Sequence, residues 1–328
     1  MNVKIRSIEI EHPQNVVKNE FYVKLFKEQG KDIRRMLECF GRSERKVVNN
    51  NSDTTVTLGV KAALKALESA NLTGKDIDVI IFSSQFPEYT CPTQALIVHD
   101  AIDGKEDAMV MDLNVNCIGM LVALDSATRY LLQNHNFKRA LIIGADYATI
   151  HAKKTDEFVY PMFGDCGCAI ILEKTEEDCG MLDSTYYTES PKYDSVVYPK
   201  CGASSFYKKT TSHEDMKLGW TECDDNVVEI AKNSINKLLK NNNLKVSDIK
   251  AFCFSQFAGS LVNGCADVLR IEPEKVIYVG DTYGYTGTSS PFIALYEGIK
   301  KGQIKRGDKI MFWSIAATRT ACALLFKY

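Results

Sequence analysis

The chain has 328 residues, 45% apolar and 25% charged, with 40 basic against 42 acidic side chains. This is the composition of a globular protein of about two average domains, and it excludes disordered, collagen-like and disulfide-scaffold classes. A net charge of −2 leaves no electrostatic footprint for nucleic acid or an anionic membrane surface. Residues 1–10 alternate polar and apolar as a strand does and carry no signal-peptide core. Helical periodicity follows over 55–70, then strands over 78–83 and 108–113, a helix over 118–134, and strands over 139–144 and 168–173. The pattern resumes later with a helix over 227–241, strands over 249–254 and 275–279, a helix over 291–302, and strands over 309–313 and 322–327. This alternation predicts α/β architecture with helix-covered sheets. Residues 176–222 lose the pattern and are rich in Tyr, Ser, Thr and Lys, so they read as an irregular connector or insertion shaping a substrate entrance. No run of 18 apolar residues is present, so no membrane span is expected. The eleven cysteines are scattered without metal-type pairs, which predicts reduced thiols in a cytoplasmic protein with no metal site.

The sequence repeats itself. Asn71-Leu72-Thr73-Gly74-Lys75-Asp76-Ile77, followed by a strand into Phe82-Ser83-Ser84-Gln85-Phe86, has a counterpart in Asn243-Leu244-Lys245-Val246-Ser247-Asp248-Ile249 and its strand into Phe254-Ser255-Gln256-Phe257. Both copies follow an amphipathic helix. Downstream, the strand–turn–helix around Val110–Gly119 pairs with Val276–Gly287, and the strand from Gly167 pairs with the one from Ala321. Three matches in one order indicate one fold made twice: an N-terminal half over 1–175 and a C-terminal half over 176–328.

Under this repeat Cys117 and Tyr285 occupy equivalent positions, each two residues before a glycine at a helix start. A thiol at a helix N-terminus meets unpaired N–H groups and the positive end of the dipole, which favour the thiolate, the nucleophilic form. Cys117 also fits as a small filler of a tight turn. Its place in a duplicated strand–turn–helix favours the nucleophile.

These segments resemble the thiolase superfamily of condensing enzymes, in particular β-ketoacyl-acyl carrier protein synthase III, over essentially the whole chain. The matching stretches are Phe40-Gly41-Arg42-Ser43-Glu44-Arg45, the nucleophile segment Asp112–Gly119, Phe163-Gly164-Asp165-Cys166-Gly167-Cys168-Ala169, and Gly302-Gln303-Ile304-Lys305-Arg306-Gly307-Asp308. The resemblance implies a five-layer α-β-α-β-α fold from two duplicated halves. It also implies a substrate that is a coenzyme A or phosphopantetheine thioester, with no bound cofactor, and acyl transfer onto Cys117 from acyl-CoA or acyl carrier protein. It implies a cytosolic homodimer, or a heterodimer with a paralogous synthase, joined through the strand after the nucleophile helix, here Arg139–Gly144. Arg45 aligns with a family arginine near the nucleotide entrance.

The sequence departs from the family where the family keeps its second and third polar groups. The His-Gln-Ala-Asn motif reads Ser255-Gln256-Phe257-Ala258, and the Gly-Asn-Thr motif reads Gly284-Tyr285-Thr286. The His/Asn dyad is therefore replaced by Ser255 and Tyr285. Ala317 keeps the backbone N–H that an oxyanion hole in the C-terminal turn needs. None of His12, His99, His135, His151 and His213 falls on a repeat position that converges on Cys117, and Glu88 reads as a solvated loop carboxylate. Acylation needs a thiolate and an oxyanion hole, both retained. Decarboxylative condensation needs the missing donors, each worth about 3–4 kcal/mol in related sites. The leading expectation is an acyltransferase in fatty-acid, polyketide or secondary-metabolite biosynthesis. The alternatives are a β-ketoacyl-carrier protein synthase with a modified site and a non-catalytic partner subunit of an active synthase.

Overall fold

The computed structural model describes residues 1–191, 193–221, 226–316 and 319–328. Strand β1 (Asn2–Glu11) is followed by a ribbon of β2 (Val16–Lys18) and β3 (Glu44–Lys46), with helices α1 (Asn19–Glu28) and α2 (Arg34–Phe40) between its strands. Then come helix α3 (Thr55–Ala70), strand β4 (Val79–Ser83), helix α4 (Gln94–Ala101), strand β5 (Met109–Leu113), helix α5 (Gly119–Gln133), and strands β6 (Arg139–Asp146) and β7 (Cys166–Thr175). Strand β8 (Gly180–Thr188) leads to the two-residue strands β9 (Val196–Val197) and β10 (Gly219–Trp220), then helix α6 (Val227–Asn241), strand β11 (Ala251–Phe254) and helix α7 (Gly259–Leu269). Helices α8 (Gly280–Tyr283) and α9 (Ser290–Lys300) and strands β12 (Lys309–Ile315) and β13 (Thr320–Lys327) complete the chain.

The duplication is visible strand by strand. One sheet runs β1-β7-β6-β4-β5 and the other β11-β12-β13-β8. In the first, β4 is parallel to β6, and β7 is antiparallel to both β6 and β1. In the second, β11 is parallel to β12, and β13 is antiparallel to both β12 and β8. The local chemistry repeats too. Asn71 and Asn243 both adopt left-handed backbone (φ 55° and 54°) at the ends of α3 and α6, where Asn is tolerated. A short 3₁₀ turn follows each, held by Asp76 accepting the Thr73 amide (2.9 Å) or Asp248 accepting the Lys245 amide (2.8 Å).

The layers follow from which faces are apolar. Helix α3, capped by reciprocal Thr54–Thr57 hydrogen bonds, buries Ala62, Ala63, Ala66 and Ala70 against the outer face of the first sheet. Helices α5 and α9 pack between the sheets in the largest apolar cluster, with Leu121, Leu124, Phe292 and Leu295 buried. Helices α6 and α7 cover the far face of the second sheet. This is the five-layer α-β-α-β-α arrangement of the thiolase-like fold. Among the described residues no helix is long and apolar enough to cross a membrane.

Three expectations are corrected here. Residues 275–279 do not form a strand. They make one bridge, Phe252 to Val276, and the buried Gln256 side chain replaces the ladder by donating to Ile277 O (3.2 Å) and accepting from the Val279 amide (2.8 Å). The stretch 176–222 is not uniformly irregular, because β8 pairs with β13 along its length. No apolar alternation marks this strand, because Asp183 and Thr185 stand in register with Met181 while Leu182 and Tyr186 lie on the other, more exposed face. Finally, β6 lies inside its sheet between β7 and β4, so Arg139–Gly144 cannot join a partner edge to edge; the edge strands of that sheet are β1 and β5.

Candidate active site

Strand β5 delivers the chain to a tight turn. Asn114 accepts the Asn116 amide (3.0 Å), and Asn116 adopts φ 50°, turning the chain into a 3₁₀ turn at Asn116–Ile118 and then α5. Cys117 sits in this turn at 5% exposure. Elements from both sheets hold it. Ser314 at the end of β12 donates to the Cys117 carbonyl (3.0 Å), and the Met120 amide donates to the Thr288 hydroxyl (2.7 Å). Gly119 is required, since a Cβ there would lie 2.2 Å from Ser83 Oγ.

The thiol faces a cavity of about 90 Å³ walled by Phe86, Phe163, Tyr198, Trp220 and Tyr285, with Gln85 and Asn116 as polar lining. The β9–β10 pair closes it from the connector side through Val196, Tyr198, Leu218 and Trp220. Gln85 Oε1 is 3.5 Å from Cys117 Sγ and accepts its S–H. The Tyr285 phenol interacts with both Cys117 and Ser255; burial, and then the neighbouring Cys117, push it far above its usual range, so it stays a neutral donor. Ser255 Oγ is buried beside the Tyr285 phenol and, among the described residues, has no other hydrogen-bond partner. Its loop is fixed by the buried Arg42, which donates to the carbonyls of Gln256 (3.1 Å) and Phe257.

Asp146, at the end of β6, is fully buried behind Gln85. It accepts from Ser84 Oγ (2.8 Å) and from the Gln85 (2.9 Å), Phe86 (3.2 Å) and Thr288 (3.3 Å) amides, and Gln85 Nε2 lies 3.5 Å away. Burial pushes its carboxyl up to about 6, against the lowering effect of these hydrogen bonds. Gly287, at φ 62°, closes over the pair, and a Cβ there would lie 2.3 Å from Asp146 Oδ2 and 2.4 Å from Gln85 Nε2.

The structure thus brings Cys117, Tyr285 and Ser255 together, while Ala317 lies outside the described residues. Two expectations change. The structural counterpart of Cys117 is Thr288, not Tyr285, because the second 3₁₀ turn is Gly287–Ser289 and its helix starts at Ser290-Pro291, where proline suits the first helical turn. Tyr285 reaches the thiol differently, through a bridge in which its N–H meets Met162 O and its C=O meets the Gly164 amide, each at 3.0 Å. Arg45 does not line a nucleotide entrance. The β2–β3 ribbon turns it inward to 0% exposure, where it donates to Pro161 O (2.7 Å) and Asn19 and lies over the Tyr22 ring. Burial lowers it to about 10.

Of the other candidates, Glu88 is exposed. His151 is packed between Phe86 and Tyr198, and burial pulls it down to about 4, so it is neutral. Cys166, Cys168 and Cys253 are buried, with thiols pushed well up by desolvation. Among the described residues no three His, Cys, Asp or Glu side chains come together to hold a metal ion. Sequence reasoning passed over Gln85, Asp146, Thr288 and Ser314. For Gln85 a signal existed, since the repeat pairs it with the second-motif glutamine, Gln256.

A family signature described as 3-Oxoacyl-[acyl-carrier-protein (ACP)] synthase III matches residues 111–190, and its C-terminal counterpart matches residues 239–328. The Beta-ketoacyl-[acyl-carrier-protein] synthase III of Clostridium perfringens (strain SM101 / Type A) is 30% identical over 328 residues, covering 99% of each chain. The protein of that name from Coxiella burnetii (strain RSA 493 / Nine Mile phase I) is 29% identical over 321 residues, 96% of each chain. The crystal structure of 3-oxoacyl-[acyl-carrier-protein] synthase III from Aquifex aeolicus VF5 shares the fold, with a TM-score of 0.87 over 100% of both chains at 24% identity.

Proposed function

The chain belongs to the β-ketoacyl-[acyl-carrier-protein] synthase III family, and on that footing we propose that it is an acyltransferase that loads an acyl group onto Cys117 and passes it to an acceptor. The donor is an acyl-CoA or acyl carrier protein thioester; the acyl carrier protein is the one that the relatives' names print. The observation that carries this reading is the thiol's surroundings: Cys117 faces a cavity of about 90 Å³, with Gln85 and the neutral Tyr285 against it and the Ser255 hydroxyl next to Tyr285. No imidazole is among these neighbours. The two hydroxyls bind a thioester carbonyl but are poor bases near neutral pH. Acyl transfer without decarboxylation follows. The cavity has room for several water-sized groups, at about 10–15 Å³ each, which suits an acyl group of a few carbons.

Incubation with short-chain acyl-CoA, followed by peptide mass spectrometry, should find the thioester on Cys117. Labelling confined to the exposed Cys39 or Cys91, or no adduct from either acyl-CoA or acyl carrier protein, would defeat this reading.

The free edge of β5 supports a second subunit. Met109, Val110, Met111 and Leu113 are all partly exposed there, and an unpaired apolar edge strand is a pairing surface. The partner is a second copy of this chain or a paralogue. Light scattering at micromolar concentration should report a dimer for the homodimeric case; a monomer both alone and with a co-expressed paralogue would contradict pairing.

A further inference from the structure

We propose that Cys117, Gln85 and Asp146 form one proton-holding unit, in which the Gln85 amide couples the protonation of the thiol to that of the buried carboxyl. The geometry comes first. Gln85 stands between the two, with Oε1 3.5 Å from Cys117 Sγ and Nε2 3.5 Å from Asp146 Oδ2. Its backbone is pinned by a 2.9 Å hydrogen bond to the same carboxylate, and Gly287 packs against both groups with no room for a Cβ. The amide therefore has two useful orientations about its terminal torsion and little freedom otherwise.

With Asp146 ionised, the carboxylate takes the Nε2–H, Oε1 must face the sulfur, and the thiol keeps its proton by donating to Oε1. A thiolate facing Oε1 would be two electron-rich atoms in contact. For the thiolate to form, the amide turns over: Nε2 donates to sulfur, and Oε1 now needs a donor, which a protonated Asp146 supplies. The step balances. The S–H bond breaks, an O–H bond forms on Asp146, and the unit keeps one negative charge throughout. Gln85 touches the reacting sulfur; Asp146 is a positioning residue that acts through it.

Charge favours the same coupling. The groups facing Asp146 are Ser84, Gln85 and Phe86 from the end of β4, Thr288 from the turn before α9, and the Tyr285 phenol, and none carries a positive charge. Two negative charges this close and this buried repel strongly, so the pair titrates as a unit. Burial already places the Asp146 carboxyl near 6, close enough to neutrality for the proton to move.

The inference rests on Cys117 as the nucleophile, but its test reads the thiol directly and needs no acyl donor. Alkylation of Cys117 by iodoacetamide, resolved by peptide mass spectrometry, is followed from about pH 5 to pH 10. Asp146→Asn removes the charge and frees the amide to turn, so on the rising part of the profile Cys117 should react about tenfold faster, a shift of about one pH unit. In a Gln85→Met background the same substitution should have a clearly smaller effect, because the through-space charge remains while the amide that couples the two groups is gone. A superimposable Asp146→Asn profile overturns the proposal, and so does a shift of equal size with and without Gln85. Should Asp146→Asn fail to fold, infrared spectroscopy of the unaltered carboxyl decides. The carboxylic-acid C=O band should persist to higher pH in the native protein than in Cys117→Ala; identical titrations overturn the coupling.

Discussion

Cys117→Ala should lower acyl transfer by at least about a thousandfold, the scale on which loss of a covalent nucleophile acts. The fold should survive it. The turn is set by the left-handed Asn116, by Ser314 bonding the Cys117 carbonyl and by Thr288 bonding the Met120 amide, and none of these uses the thiol. The cost to stability is that of deleting one small buried group, about 1 kcal/mol. Activity and stability should therefore separate cleanly, with near-native unfolding and no thioester adduct. Cys166→Ala or Cys253→Ala should do the reverse, keeping acyl transfer while losing some stability, because both thiols are buried in apolar packing and held protonated. Equal loss of activity in either of these would mean that Cys117 is not the acyl carrier.

The turn that carries Cys117 was legible because its signals are local: a strand end, a polar turn and an apolar helix, all within about twenty residues. The repeat extended that reach, since matching the segment from Asn71 to the one from Asn243 indicated one fold made twice. Its limits are also physical. Matching by the glycine before each helix placed Tyr285 opposite Cys117, whereas the helix start at Ser290-Pro291 puts Thr288 there. A side chain that replaces a ladder, as Gln256 does for 275–279, leaves no periodic trace. Arg45 misled for a related reason: an arginine on a three-residue ribbon reads as exposed, and only tertiary packing turned it under α1. Asp146 was invisible because one acidic residue ending an apolar strand gives no hint of what five hydrogen-bond donors from two other segments make of it.

Restoring an imidazole and an amide opposite the thiol should return decarboxylation more than it changes acylation. Ser255 and Tyr285, which the proposed reading sets in the places of the family's His and Asn, interact in the folded protein. The double substitution Ser255→His with Tyr285→Asn is the one to make. Ser255 is 2% exposed, so histidine alone would overpack the site, whereas removing the Tyr285 ring opens space between Phe163 and Phe257, at ring distances of 5.9 and 5.5 Å. Each donor to the developing enolate oxygen is worth about 3–4 kcal/mol, so release of CO2 from malonyl-carrier protein should rise at least about a hundredfold. Self-acylation needs only the thiolate and a bound carbonyl, and should change less than about tenfold. In the unaltered protein, with no imidazole against the sulfur, activation falls to the helix N-terminus, worth roughly 0.3–2 kcal/mol. Self-acylation should accordingly climb with pH as the thiol ionises, while decarboxylation stays very slow throughout. Condensation of malonyl-carrier protein by the unaltered protein at the rate of its variant would show that two hydroxyls suffice, and that Ser255 and Tyr285 do the work assigned to the missing pair.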